Sequence, residues 1–133
     1  MAYWILRSEP ETYGWDDLVR DGTTEWDGVR NATARIHLKA MAPGDTAMFY
    51  HSGKQKACVG TMRITRGWRP DGDDGNWASV EVTLGEKLPH PVTLAEIKAE
   101  PQLKELMMLK LSRLSCSAVR DQEWAVLMDM AKA

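Results

Sequence analysis

Cysteine is scarce in this chain. Cys58 and Cys116 stand far apart among apolar neighbours. Neither belongs to a CxxC pair or a metal-ligand spacing, which excludes a disulfide framework and predicts buried, reduced thiols. No apolar run approaches the roughly 18–20 residues of a membrane span. The N-terminus lacks the basic-then-apolar layout of a signal peptide, and Pro10 comes too early for one. A cytoplasmic protein without a membrane partner is the expectation. Phosphate-cradling glycine loops are missing, since neither GxxxxGK[ST] nor GxGxxG occurs. No HExxH, HxxxH or HxE…CxxC pattern offers a metal site, so no metal and no cofactor are expected. The breaker-rich stretch Arg69–Asn76 does not read as a calcium loop. A count from Asp71 puts Val82, not glutamate, at the twelfth position.

Groups able to carry catalysis are equally sparse. Histidine occurs only as His37, His51 and His90. His51 precedes Ser52, yet there is no GxSxG elbow, and adjacent residues of a strand point to opposite faces. Cys116 has no nearby base to activate it, and Glu9 and Glu11 lie two apart in an extended segment. The expectation is a binding domain rather than an enzyme.

The length of 133 residues fits one domain spanning 1–133 with its own core. Net charge is −2, which argues against a protein that coats nucleic acid by neutralising phosphates alone. The distribution is uneven. From Arg30 to Arg69 there are eight basic residues and one acid, Asp45, a formal charge of +7. These cations are either solvated positions spread around the fold or one face able to meet a phosphate backbone.

Strands are predicted at Ala2–Arg7, Thr46–His51, Ala57–Arg66, Trp77–Leu84 and Ser115–Val119, the third and fourth showing alternation. Helices are predicted at Trp15–Arg20 and Asn31–Met41. A third begins at the capping box Thr93–Glu96 and ends before Pro101. A terminal helix capped by Asp121 places Trp124, Leu127 and Met128 on one face. Strands interleaved with short helices, without regular βαβ alternation, indicate an α+β barrel.

Tryptophan is the positive signal, with six in the chain against a single phenylalanine. Trp124 reads as core, and Trp68 and Trp77 as packing of the barrel or its loops. Trp26 lies in a polar connection, Thr24–Asn31, ahead of a helix. There it either packs on the core or walls a pocket for a flat ligand. Arg30 and Asn31 beside it supply a guanidinium and an amide, suited to phosphates and base edges.

The stretches Trp4-Ile5-Leu6-Arg7-Ser8-Glu9-Pro10, Trp15-Asp16-Asp17-Leu18, Glu25-Trp26-Asp27-Gly28-Val29-Arg30-Asn31 and Phe49-Tyr50-His51-Ser52 resemble the EVE domain family. So do Lys87-Leu88-Pro89, Pro91-Val92-Thr93-Leu94 and Ser112-Arg113-Leu114-Ser115. The family belongs to the PUA-like superfamily and is related in fold to YTH and ASCH domains. The resemblance implies a PUA-like mixed or antiparallel β-barrel surrounded by short helices. It also implies a non-catalytic pocket that accepts one flipped, modified base, methylated or hydroxymethylated, in DNA rather than RNA. Ser8, Trp26, Asn31, Tyr50, Ser52, Ser112, Leu114 and Ser115 would line it, and Arg7, Arg30, Arg35, Lys54, Lys56 and Arg113 would hold flanking phosphates. Where the family usually has lysine this chain has Arg7. Where the family has an aromatic-Gln pair and a later asparagine, this chain has Ala32, Thr33 and Ile36. A modified-RNA reader and a regulatory domain for small molecules or nucleotides are the alternative binding functions. A separate effector protein would turn recognition into an outcome, and a monomer is expected.

Overall fold

A computed structural model describes residues 2–72, 77–111 and 114–132. Its strands are β1 (Tyr3–Ser8), β2 (Thr23–Trp26), β3 (Thr46–His51), β4 (Ala57–Pro70), β5 (Ala78–Thr93) and β6 (Cys116–Val119). The helices are α1 (Trp15–Asp21), α2 (Ala32–Ala40), α3 (Leu94–Ala99), α4 (Met107–Lys110) and α5 (Asp121–Met130). The strands form one mixed sheet in the order β2-β5-β4-β3-β1-β6. Only β1 and β3 run parallel among the described pairings.

The fold is α+β, as the sequence indicates, but the expected barrel is not closed by hydrogen bonds. β2 and β6 remain edges. Helix α2 packs on β4, β5 and β6. Ala34 and Leu38, fully buried, are the apolar stripe that seats it.

Alternation sorts the central strands into two cores. Trp4, Leu6, Ala47 and Phe49 face one, with Trp15, Trp26 and α2. Ile5, Met48 and Tyr50 face the other, with α3, α5 and Trp124. Gly60 allows the first core to form where it does: a Cβ there would come within 2.3 Å of the Trp15 ring.

Departures from the predicted elements have clear causes. β5 continues past Leu84 through Pro89 and Pro91. Its register slips from Gly60↔Lys87 to Cys58↔Val92, a large bulge in which residues without an N–H are tolerated. β2, predicted as connection, is a four-residue edge strand. Its partner β5 lies far along the chain, and so short a segment carries no periodic signal of its own. Arg120 rather than Asp121 occupies the cap of α5, its N–H bonded to Glu123 at 2.9 Å. No helix among the described residues is long and apolar enough to cross a membrane.

Candidate nucleic-acid interface

The unclosed seam of the sheet contains a cleft of about 500 Å³. One wall comes from the ends of β1 and the lead into β6, through Arg7, Ser8 and Ser115. The opposite wall is β2 and the loop after it, from Thr24 to Arg30, with Thr12 and Tyr13 at the side. β2 is paired on one side only, so its outer edge presents backbone groups that no neighbouring strand uses. The volume falls within the roughly 300–1,000 Å³ of small-molecule sites.

Trp26 lines this cleft and also belongs to the core. It is 7% exposed and meets Phe49 edge-on, with centroids 5.4 Å apart at 85°. Trp26 packs in the core and borders the cleft at once, because its edge strand lies along both. Ser8 lines the cleft too, with its hydroxyl donating to the Tyr13 carbonyl at 2.7 Å. Its proton is thereby used, while an oxygen lone pair can still accept from a ligand N–H.

The loop from Asp27 to Arg30 is held from outside by the β4–β5 hairpin. Asp71 Oδ2 accepts from the Gly28 N–H at 2.9 Å and from Arg30 Nη1 at 3.0 Å. Those two donors, the backbone one first, hold the Asp71 carboxyl below its ordinary range. Gly28 has φ +76, a left-handed conformation that glycine adopts without strain. Glu25 reaches the cleft but is spent. Arg66 grips it through both guanidinium nitrogens at 2.8 and 2.5 Å, Arg69 adds a contact at 3.3 Å, and Ser79 donates its hydroxyl. Chiefly the Arg66 bonds depress the Glu25 pKa against the opposing effect of burial. The basic run from Arg30 to Arg69 is therefore partly neutralised by acids outside it, Glu25 and Asp71.

Several residues assigned by sequence stand elsewhere. Asn31 is exposed and caps α2, its side-chain oxygen accepting from Ala34 N at 2.9 Å. That is the commonest role of asparagine ahead of a helix, and it takes the oxygen meant for a base edge. Tyr50, 2% exposed, faces the second core because it alternates with Phe49 and His51. It lies beneath the Arg7 guanidinium at 5.4 Å, bordering a smaller cavity of about 140 Å³. Ser52 does not line the cleft, and its N–H bonds the Ser8 carbonyl at 3.0 Å. Leu114 is core, its carbonyl near Arg7 Nη1. Ser112 and Arg113 lie outside the described residues. Arg7 and Arg30 sit on the cleft itself. Arg35 stands over Trp77 at 5.7 Å. Lys54 and Lys56 are exposed on the β3–β4 turn, where the Lys56 carbonyl accepts from Leu94 N at 2.8 Å. Ala32, Thr33 and Ile36 are exposed on α2 and do not line the cleft. Tyr13, Thr24, Asp27 and Val29 are lining residues that the sequence did not nominate individually. Only the Glu25–Asn31 motif as a block pointed to some of them.

The groups considered for catalysis are constrained. Burial pushes the Cys116 and Cys58 thiols up to about 12, far from a reactive thiolate. His51 Nε2 accepts the Trp15 N–H at 3.0 Å. Nδ1 therefore carries the proton and donates to Gln55 Oε1 at 2.6 Å, so both ring nitrogens are engaged.

Compared with known proteins, residues 2–130 match the EVE domain. Human thymocyte nuclear protein 1 is 28% identical over 97% of this chain and 73% of its own length. A Rhodopseudomonas palustris protein solved by NMR is 40% identical with a TM-score of 0.93, covering 98% of this chain and 93% of that one. The human THYN1 protein, crystallised in complex with 5-methylcytosine-containing DNA, is 28% identical with a TM-score of 0.91. The match covers 100% of this chain and 99% of that one.

Proposed function

This chain belongs to the EVE domain family, and from that premise we propose that it is a non-catalytic, single-domain reader of nucleic acid. It takes a modified cytosine of DNA, flipped from its strand, into the seam cleft. The observation that carries this reading is the cleft itself, walled by Trp26 and Ser8 and rimmed by Arg7 and Arg30. The likeness to human THYN1, a protein seen with 5-methylcytosine-containing DNA, supports DNA as the nucleic acid.

The energetics are consistent with modest selectivity. Extruding a base costs a few kcal/mol. Contact with an aromatic ring returns about 1–3 kcal/mol, and each base-edge hydrogen bond nets near 1 kcal/mol. Asp27, on the cleft wall, can accept from a cytosine amino group, a contact that thymine does not offer. Burying one methyl group contributes about 0.8 kcal/mol, roughly a fourfold preference. Arg7 and Arg30 would meet the flanking phosphates without regard to sequence. A separate effector would act on the bound state.

The test is equilibrium binding to matched DNA duplexes carrying cytosine, 5-methylcytosine, 5-hydroxymethylcytosine or N6-methyladenine at one position, with RNA counterparts. The expected outcome is a preference of about fourfold or more for a modified cytosine, reduced by Trp26→Phe, which keeps an aromatic core contact. Equal affinity for all of them would overturn the reading. A gain from the 2′-hydroxyl would move it to RNA.

A further inference from the structure

Beside the cleft, starting from Arg30 on its rim, cations and indoles interleave beyond the lining of the base site. Arg30 and Arg35 both stand over the Trp77 ring, at 5.5 and 5.7 Å. Farther along α2, the Lys39 ammonium lies 4.6 Å from the centre of the Trp68 ring. Trp68, on β4, is 44% exposed, and Ile36, between the two cations on α2, is 63% exposed. Large apolar side chains at such exposure, rimmed by cations, mark an interaction surface more than a scatter of solvated positions. Residues 32–40 of α2 contain no acid. Arg35 and Lys39 lie one helical turn apart and so share a face.

We propose that this strip, from Arg30 through Trp77, Arg35 and Ile36 to Lys39 and Trp68, is the track for the strand that flanks the captured base. The proposal rests on the reading of the cleft as a base site. Continuity supports it, because Arg30 belongs both to the cleft rim and to the first cation–indole pair. Scale supports it too: Arg35 and Lys39, four residues apart on α2, are separated by about 6 Å along the helix axis, so the two cations can meet neighbouring phosphates of one strand. The chemistry is that of nonspecific strand binders, in which cations follow phosphates and indole rings offer faces to bases of any sequence. Lys39 covers part of one indole while the exposed remainder of Trp68 is left for a neighbouring base.

The experiment measures binding of three probes across a salt series: the nucleoside 5-methyl-2′-deoxycytidine, a single strand of about twelve bases with one central 5-methylcytosine, and its duplex. Wild type is compared with Lys39→Ala, Lys39→Glu and Trp68→Ala, all at exposed positions, with folding checked by circular dichroism. Lys39→Ala is expected to reduce the slope of log affinity against log salt by about 0.9 on the duplex. Lys39→Glu should weaken both oligonucleotides further. Trp68→Ala is expected to weaken the single strand by roughly fivefold or more. All three should leave nucleoside affinity and the preference for the modified base unchanged. Unchanged oligonucleotide affinity and salt slope would overturn the strip. So would tighter binding of a polyglutamate peptide than of the oligonucleotides, which would indicate an acidic protein partner. If wild type shows no preference for a modified base while these variants still weaken the oligonucleotides, the strip stands and the base-reader function falls.

Discussion

Two aspartates tie distant parts of this chain together, and they do it in opposite environments. Asp45, 5% exposed, sits at the foot of the parallel β1–β3 pair. It accepts the Ala2 N–H, the Trp4 indole N–H and the Ala42 N–H, each at 3.0 Å. Asp71, half-buried at the open seam, holds one backbone N–H and one exposed guanidinium. The first carboxylate is held by three fixed N–H donors, with the N-terminal charge nearby, and anchors the N-terminal strand. The second relies partly on an ion pair in contact with water, which salt weakens and an incoming phosphate can compete for. The difference shows where the molecule is built to be rigid and where it can adjust to a ligand.

The sharpest way to break this contrast is at the residue on the border between the two regions. Trp26→Ala should cost about 3–5 kcal/mol of stability, as removal of a buried indole does, along with the preference for modified DNA. Trp26→Phe should reduce selectivity with much less loss of stability. A denaturant titration of both variants beside the binding curves separates core from cleft.

Asp45→Ala comes next, at about 2–4 kcal/mol, because three donors are left without their acceptor. pH gives the same contrast without a substitution. Burial alone would raise the Asp45 pKa, but the N–H groups of Ala2, Trp4 and Ala42 outweigh it and hold the carboxyl below its ordinary value of 3.8. The stabilisation is therefore fully present above that value and is lost as pH falls through the folded-state pKa. An acid titration of the wild type should be steeper below pH 3.8 than that of Asp45→Asn, and parallel curves would count against this account.

The smallest effect on stability is expected from Asp71→Ala, about 1 kcal/mol or less. Its consequence should fall on binding instead, since the loop from Gly28 to Arg30 loses its outside anchor. The expected result is tighter but less selective binding to duplex at low salt, as Arg30 is released to the phosphates while the Gly28–Arg30 loop loses its anchor, with the gap to wild type narrowing as salt rises. A loss of stability as large as that of Asp45→Ala would erase the contrast between the two carboxylates.

Much of this architecture is legible in the chain. The strand of Thr46–His51 emerges with the predicted ends, because the buried run Ala47–Tyr50 follows a Pro-Gly-Asp turn. The capping box at Thr93 and Glu96 forms as its spacing predicts. The cleft was legible only as a motif. Trp26 could be core or pocket wall, and nothing in the sequence says that an edge strand makes it both. Asn31 shows the opposite hazard, since a residue suited to read a base is used to start a helix. Tyr50 shows why a contiguous motif need not share a site: in Phe49-Tyr50-His51 alternate side chains face different cores.

By itself, the sequence determined the longer strands and helices, the buried cysteines and the family. Those follow from periodicity, capping and composition, which act over a few residues. Only the tertiary structure decided that the sheet stays open between β2 and β6, that Glu25 is consumed by Arg66 and Arg69, and that Asp71 holds the loop at Gly28. Each of these depends on groups about forty or more residues apart, brought together only when the sheet forms.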